Sequence, residues 1–409
     1  MKIIYLVCAI LLISTARADV QDDSAANAIN DFGLKFLAEI SSKLPEGSNL
    51  AISPYTVWMA MSIVSDGARG NTAAELEHTL SLPAANTTDR LAFRKLQQRL
   101  IRNIAQKSEG VTLDVLNSMF TRLEAKLQQE YVQLVRDVYD VQVEPLDFNK
   151  AAAAAARINQ VISEATKGRI SNTVEEESVR EAHMFITSAL FFKGLWDKKF
   201  KKEDTKLAPF YDEHRREIGK VHMMRNSGAF PYGPILNGKG LAIELPYLGN
   251  RMSMIAILPA TGQPLSSILD TLSRTKSSIS SIVDTLNRTR DVFSPTEVAV
   301  RFPKFKIALA LNLNAVLDAM GSQDVFNSLR SNLRGISPTA ELYVSRVLHR
   351  TEIEVDEDGT VGSSVTVAEV ADRISNMDYF SADKPFAYFV YDKLTKSILF
   401  AGKYSGPQV

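Results

Sequence analysis

Cysteine is almost absent: the 409-residue chain has one, Cys8. It lies in an N-terminal segment that reads as an export signal, residues 1–18. Lys2 is the basic end, Ile3 to Ile13 the apolar run and Ala16-Arg17-Ala18 the small-x-small cleavage site. Cleavage after Ala18 leaves no cysteine, which excludes disulfides and a thiol nucleophile and leaves stability to the core of a secreted, extracellular protein. It also removes Lys2 and Arg17, so that 47 basic against 47 acidic residues becomes net −2. A balance so near neutral supplies no field for nucleic acid. No later stretch reaches the ~18 apolar residues that a membrane span requires. The five histidines form no HExxH, and GxSxG, P-loop and CxxC motifs are missing too, so neither metal nor cofactor is expected. A triad built from scattered residues leaves no spacing signal, and nothing here indicates one. Long Pro/Ser/Gly tracts and charge blocks are also missing, which favours one domain, residues 19–409, and a monomer.

What is present is a mixture of helical and strand patterns. Asn27 to Leu44 spaces Ile29, Phe32, Phe36, Leu37 and Ile40 as a helix. Ser53-Pro54 is a helix start, and the apolar run behind it predicts a buried helix ended by Gly67 and Gly70. Arg90 to Lys107 is amphipathic, with Leu96, Leu100, Ile101 and Ile104 on one side and Arg94, Lys95, Arg99 and Arg102 on the other. That basic side suits a polyanion such as a glycosaminoglycan, or is a solvated face. Six alanines, Ala151 to Ala156, begin a helix that Gly168 ends.

His183 to Lys193 reads as a buried strand, with Trp196 just beyond Gly194; Ala242 to Pro246, Met252 to Leu258 and Val298 to Phe302 are shorter strands. His183 and His349 lie among apolar strand residues, where a histidine is expected to be a hydrogen-bonded core residue. Leu265 to Lys276 and Ile279 to Arg290 match at eight of twelve positions with an offset of 14. A duplication that lengthens one helix is the simple reading, and a new binding surface the other. Asn86-Thr87-Thr88 and Asn287-Arg288-Thr289 are glycosylation sequons. The fold class is α+β.

One stretch stands apart. Glu352 to Phe380 opens as an alternating strand (Ile353 and Val355 apolar), breaks at Glu357-Asp358-Gly359, and then runs almost without charge from Val361 to Val370. Such a run has strand propensity but no evident partner. Every second residue from Thr360 (Thr360, Gly362, Ser364, Thr366, Ala368, Val370) is uncharged and not large, the requirement for a strand that enters a packed core late. The one charge before Asp372, Glu369, falls on the other set.

With these residues in place the chain resembles the serpin family from Asn27 to Pro407. The motifs are Asn49, Ser53-Pro54 and Thr56, then Gly67-Ala68-x-Gly70-x-Thr72, and Phe192-Lys193-Gly194-x-Trp196 with Phe200. Val221-x-Met223-Met224, Glu244-Leu245-Pro246-Tyr247, Leu258-Pro259, Pro303-Lys304-Phe305, Gly321 with Phe326, Pro385-Phe386 and Leu399-Phe400-x-Gly402 follow in family order. The resemblance implies three β-sheets, about nine helices and an exposed reactive-centre loop at about 357–380.

It also implies suicide inhibition of a serine protease, through loop cleavage, an acyl-enzyme and strand insertion. The hinge would be Glu357, Asp358, Gly359, Thr360, Gly362, Ser363 and Ser364. Shutter and breach would be Asn49, Ser53, Thr56, Ser188, Trp196 and His349. Family spacing puts the scissile bond at Arg373-Ile374, sixteen residues after Glu357, which suits a trypsin-like protease of an extracellular cascade; Ala371 and Asp372 are the neighbouring candidates. Ser188 stands where the family usually has asparagine, so that hydrogen-bond network must be rebuilt. Val361, Val365 and the repeat leave a second expectation, a non-inhibitory serpin-like binding or carrier protein.

Overall fold

The computed structural model describes residues 25–81, 90–171, 173–276, 278–290, 297–339, 341–358 and 378–407. The export signal lies outside them. Among the described residues there are nine α-helices and three sheets.

The five-stranded sheet runs in the order β11 (Phe305–Asn312), β12 (Arg346–Val355), β4 (Met184–Gly194), β2 (Val111–Arg122) and β3 (Val143–Leu146). The six-stranded sheet runs β1 (Leu50–Ile52), β15 (Ser397–Tyr404), β14 (Phe386–Asp392), β9 (Met252–Pro259), β8 (Gly240–Pro246) and β7 (Tyr232–Ile235). The four-stranded sheet runs β13 (Asp378–Ser381), β10 (Glu297–Pro303), β6 (Glu217–Ala229) and β5 (Lys206–Tyr211). Strands β9, β14 and β15 bury every residue, and so read in sequence as apolar runs without alternation.

The helices are α1 (25–43), α2 (Pro54–Gly67), α3 (Gly70–Thr79), α4 (Arg90–Ala105), α5 (Gln129–Tyr139), α6 (Ala151–Ala165), α7 (Leu265–Arg274), α8 (Ser278–Arg290) and α9 (Asn314–Ala319). Helix α2 is buried along its whole length and packs against β2, β4 and β15, between the five- and six-stranded sheets. Ser53 caps it by accepting the Thr56 N–H (3.3 Å), and Pro54 fills the first turn, where no amide partner is needed. Gly67 is the last residue of α2, where a β-carbon would collide with Ile336, whereas Gly70 does not end a helix: at φ +58° it opens α3. The alanine run becomes α6. Ala151, Ala154 and Ala155 are small enough to bring Ile158 and Ile162 down onto Phe120, Phe185, Ala189 and Leu348 of the five-stranded sheet.

The repeat does not lengthen a helix. Thr275 leaves helical geometry (φ −95°, ψ 115°), and the two copies form separate helices, α7 and α8. Leu265, Ile268 and Leu272 of the first copy are buried, as are Ile279, Ile282 and Leu286 at the same places in the second. Each copy seats its own stripe on the six-stranded sheet, α7 over β9 and β14 and α8 over β7 and β8, which one straight helix could not do on a twisted surface.

Candidate functional site: the β4–β12 seam and the base of the loop

Strands β4 and β12 are parallel neighbours in register from Arg346↔Phe185 to Ile353↔Phe192. Each is antiparallel to its outer neighbour, β4 to β2 and β12 to β11. Beyond Val355 the described chain continues to Asp358 and resumes at Asp378 as β13, in a different sheet. A segment that turned back from the end of β12 and entered between β12 and β4 would be antiparallel to both. It would replace one slanted parallel ladder with two antiparallel ones, the more stable pairing per residue.

Ionic and aromatic contacts hold the upper end of this seam. Trp196 stacks on Tyr247 (centroids 4.6 Å apart, 10° between planes) and donates from Nε1 to the Asp356 carbonyl at 2.8 Å. Lys193 lies 3.4 Å from Glu354 and 3.8 Å from Asp356, bridging the end of β4 to that of β12. The Phe200 N–H donates to the Glu357 carbonyl (3.0 Å), Lys304 Nζ donates to Glu357 Oε2 (2.8 Å), and Lys202 pairs with Asp358. Burial pushes the Glu357 carboxyl up, but the Lys304 hydrogen bond and the polar groups around it outweigh that and leave it below the usual carboxylate range.

The middle of the seam is polar and sealed. His349 on β12 faces Ser188 on β4, and Ser188 faces Asn117 on β2, so three polar residues form a row across the sheet under the start of α2. The Ser53 N–H donates to His349 Nε2 (2.9 Å), so the proton of the neutral ring sits on Nδ1 and points at the Ser188 carbonyl (3.2 Å). Ser188 Oγ donates to Thr56 Oγ1 (2.7 Å), and Thr351 Oγ1 donates to the Ala51 carbonyl (2.7 Å). Oriented with its nitrogen toward acceptors, the Asn117 amide donates to the Thr56 and Leu116 carbonyls, both at 3.1 Å. Burial drives the His349 pKa down to about 3, against a small upward pull from Ser188, so the ring is neutral and serves as an acceptor.

The profile of one protein family, described as serpin (serine protease inhibitor), matches residues 27–407. The chain belongs to the serpin family. It is 30% identical to the human leukocyte elastase inhibitor over 389 residues, covering 94% of this chain and all of that one. It is also 30% identical to the mouse macrophage plasminogen activator inhibitor 2, over 427 residues, 95% of this chain and all of that one. Among solved structures it is similar to native protease nexin-1 with heparin, at a TM-score of 0.80 and 25% identity, covering 94% of this chain and all of that one. The family is one of inhibitors and not of enzymes.

In this serpin the expected shutter residues Ser53, Thr56, Ser188 and His349 converge at the middle of the seam, and Trp196 closes its upper end. Asn49 does not join them. Its side chain binds the Gly406 carbonyl (2.8 Å) and the Ser405 N–H (2.7 Å) and pins the end of β15 instead. The residue missed from sequence is Asn117, one strand away from the position that lacks the usual asparagine. The signal available was a lone amide in Val111 to Arg122, but pairing across β2 and β4 decides its meaning, and one sequence does not show pairing.

On α4, Arg94 turns inward to form two hydrogen bonds of 3.3 Å with Asp66, which Tyr139 also contacts, so it leaves the expected basic face to Lys95, Arg99 and Arg102, all exposed. Asn287 is exposed on α8, and Asn86 lies outside the described residues. Glu357 and Asp358 are placed as described above. The remaining hinge residues Gly359, Thr360, Gly362, Ser363 and Ser364, and the scissile pair Arg373-Ile374, lie outside the described residues.

Proposed function

We propose that this serpin is a secreted suicide inhibitor of a trypsin-like, Arg-cleaving serine protease. The observation that carries the reading is the parallel β4–β12 seam, with the loop leaving from the end of β12 itself. The uncharged alternation from Thr360 to Val370 supports the same mechanism, since these are the side chains that would turn into the core between β4 and β12. The protease would attack after Arg373 and form an ester to that carbonyl; the freed segment would then insert as a central strand and carry the protease away before water completes hydrolysis. Arg373 supports trypsin-like specificity, because a guanidinium fits an acidic pocket bidentately.

The names of two relatives divide on this point, one an elastase inhibitor and the other a plasminogen activator inhibitor. A polyanion partner is a further part of the reading, supported by exposed Lys95, Arg99 and Arg102 and by the heparin present with protease nexin-1 in its crystal structure. The test is incubation with trypsin and with elastase, read by denaturing gel and mass spectrometry. An SDS-stable complex with trypsin and a new terminus at Ile374 are expected. Clean cleavage by both without any complex would sink the inhibitor reading, and a stable complex with elastase alone would sink the specificity.

A further inference from the structure

The row Ser381–Arg301–Arg225 crosses β13, β10 and β6 of the four-stranded sheet, each residue directly opposite the next. Arg225 is exposed and Arg301 half-buried, and among the described residues neither pairs with a carboxylate. The Arg301 Nε and Ser381 Oγ are buried and make no hydrogen bond. Like charges directly opposite one another weaken an antiparallel pair. Two other strand cations of this chain are matched across a ladder: exposed Lys306 on β11 lies 2.7 Å from Glu352 on β12, and half-buried Lys193 on β4 lies 3.4 Å from Glu354. The acids of the four-stranded sheet do not serve here: Asp378 and Glu297 stand three and four residues along from this row, and Glu217 eight residues along β6. Asn226 donates to the carbonyls of Lys198 and Lys199 (3.0 Å each), which brings a turn of mixed charge against β6: Lys198, Lys199 and Lys201 beside Asp197, Glu203 and Asp204, with Lys202 paired to Asp358.

We infer that Arg225 and Arg301 form a docking patch for an acidic surface segment of the protease that is held at the loop. This deepens the inhibitor reading and rests on it. Chain length sets the occupant. Asp378, the first residue of β13, is four residues beyond Ile374, a reach of at most ~14 Å. A protease domain of ordinary size has a radius of gyration of about 17 Å. One bound at the Arg373-Ile374 bond is therefore within reach of the sheet that carries the two arginines. The terminal nitrogens of two guanidinium groups at opposite ladder positions suit the carboxylates of a protein segment, which they can grip in pairs. The patch acts on encounter, so it sets the association rate and its salt dependence and does not touch the insertion step.

Arg225→Glu is the telling variant, because it gives Arg301 an acid across the ladder and so leaves the fold intact or firmer. Wild type and variant are to be compared against anionic and cationic trypsin, which share Arg specificity and differ in surface charge. With anionic trypsin the variant should associate about tenfold more slowly at low salt, with the gap closing at high salt and the stoichiometry of inhibition unchanged. With cationic trypsin the difference should be smaller. Equal rates for variant and wild type, or a changed stoichiometry, would overturn the docking patch alone. An unchanged rate with earlier elution from immobilised heparin would reassign the patch to a polysaccharide and also overturn it. A wild type that forms no covalent complex with either trypsin would bring down the inhibitor reading and this inference with it.

Discussion

Acidification should lower the stability of the fold through a single proton, taken up by the unfolded chain. His349 is 1% exposed and accepts the Ser53 N–H, and burial holds its pKa at about 3 against the ordinary 6.5. Below pH 6.5 the unfolded chain takes up this proton and the native protein does not, so stability falls with pH until the native ring is protonated too. The contribution is intact above about pH 6.5 and is lost on the way down to about pH 3. Between pH 7 and pH 4 the loss amounts to about 3 kcal/mol, at ~1.4 kcal/mol per pH unit once the unfolded histidine is fully charged. That is a sizeable share of the ~5–15 kcal/mol that holds a typical domain together. Urea titrations of wild type and His349→Gln across this range isolate the effect, because glutamine can hydrogen-bond but does not titrate. The variant should be less stable by about 1–3 kcal/mol at pH 7, with a buried donor poorly matched. The two curves should converge toward pH 4, where the wild type has lost its advantage. Parallel pH profiles would refute the account and place the acid sensitivity elsewhere.

Three further outcomes follow from the same geometry. Thr360→Arg puts a charge on the inward-facing set, at a cost of several kcal/mol against insertion. The variant should become a substrate, and an unchanged stoichiometry of inhibition would defeat the insertion argument. Arg373→Ala should abolish complex formation with trypsin, and persistence of the complex would move the cut to Ala371 or Asp372. Asp392, fully buried, accepts from Arg251 Nε (3.0 Å) and a terminal Arg251 nitrogen (2.9 Å), and that arginine also caps the Asn103 and Gln106 carbonyls near the end of α4. Asp392→Ala should cost about 3–5 kcal/mol by leaving the guanidinium uncompensated, and a melting temperature within a degree or two of wild type would contradict that.

Much of this architecture is legible one element at a time. Ser53-Pro54 announces α2, the alternation at Ile353 and Val355 announces the end of β12, and the parity from Thr360 to Val370 announces a strand that must fit a core. What is not legible is whatever depends on which strand lies beside which. Asn117 matters because β2 lies beside β4. Arg94 looks like one of four equivalent cations until Asp66 at the end of α2 captures it. The repeat shows the same limit from the other side: its apolar stripe is plain in the sequence, but the break at Thr275 answers to the surface beneath it.

The end of the chain has a consequence for any experiment that cuts the loop. Downstream of Ile374 the described residues, Asp378 to Pro407, contribute β13 to one sheet and β14 and β15 to another, where β14 is flanked by β9 and β15, and β15 by β1. Every residue of β14 and β15 is buried, and Asn49 clasps Ser405 and Gly406 from outside the ladder. The segment from Asp378 to Pro407 is thus woven through two layers of the protein, and severing one peptide bond upstream gives it no way out. A cleaved molecule should travel as a single particle on a sizing column and come apart into two chains only in denaturant.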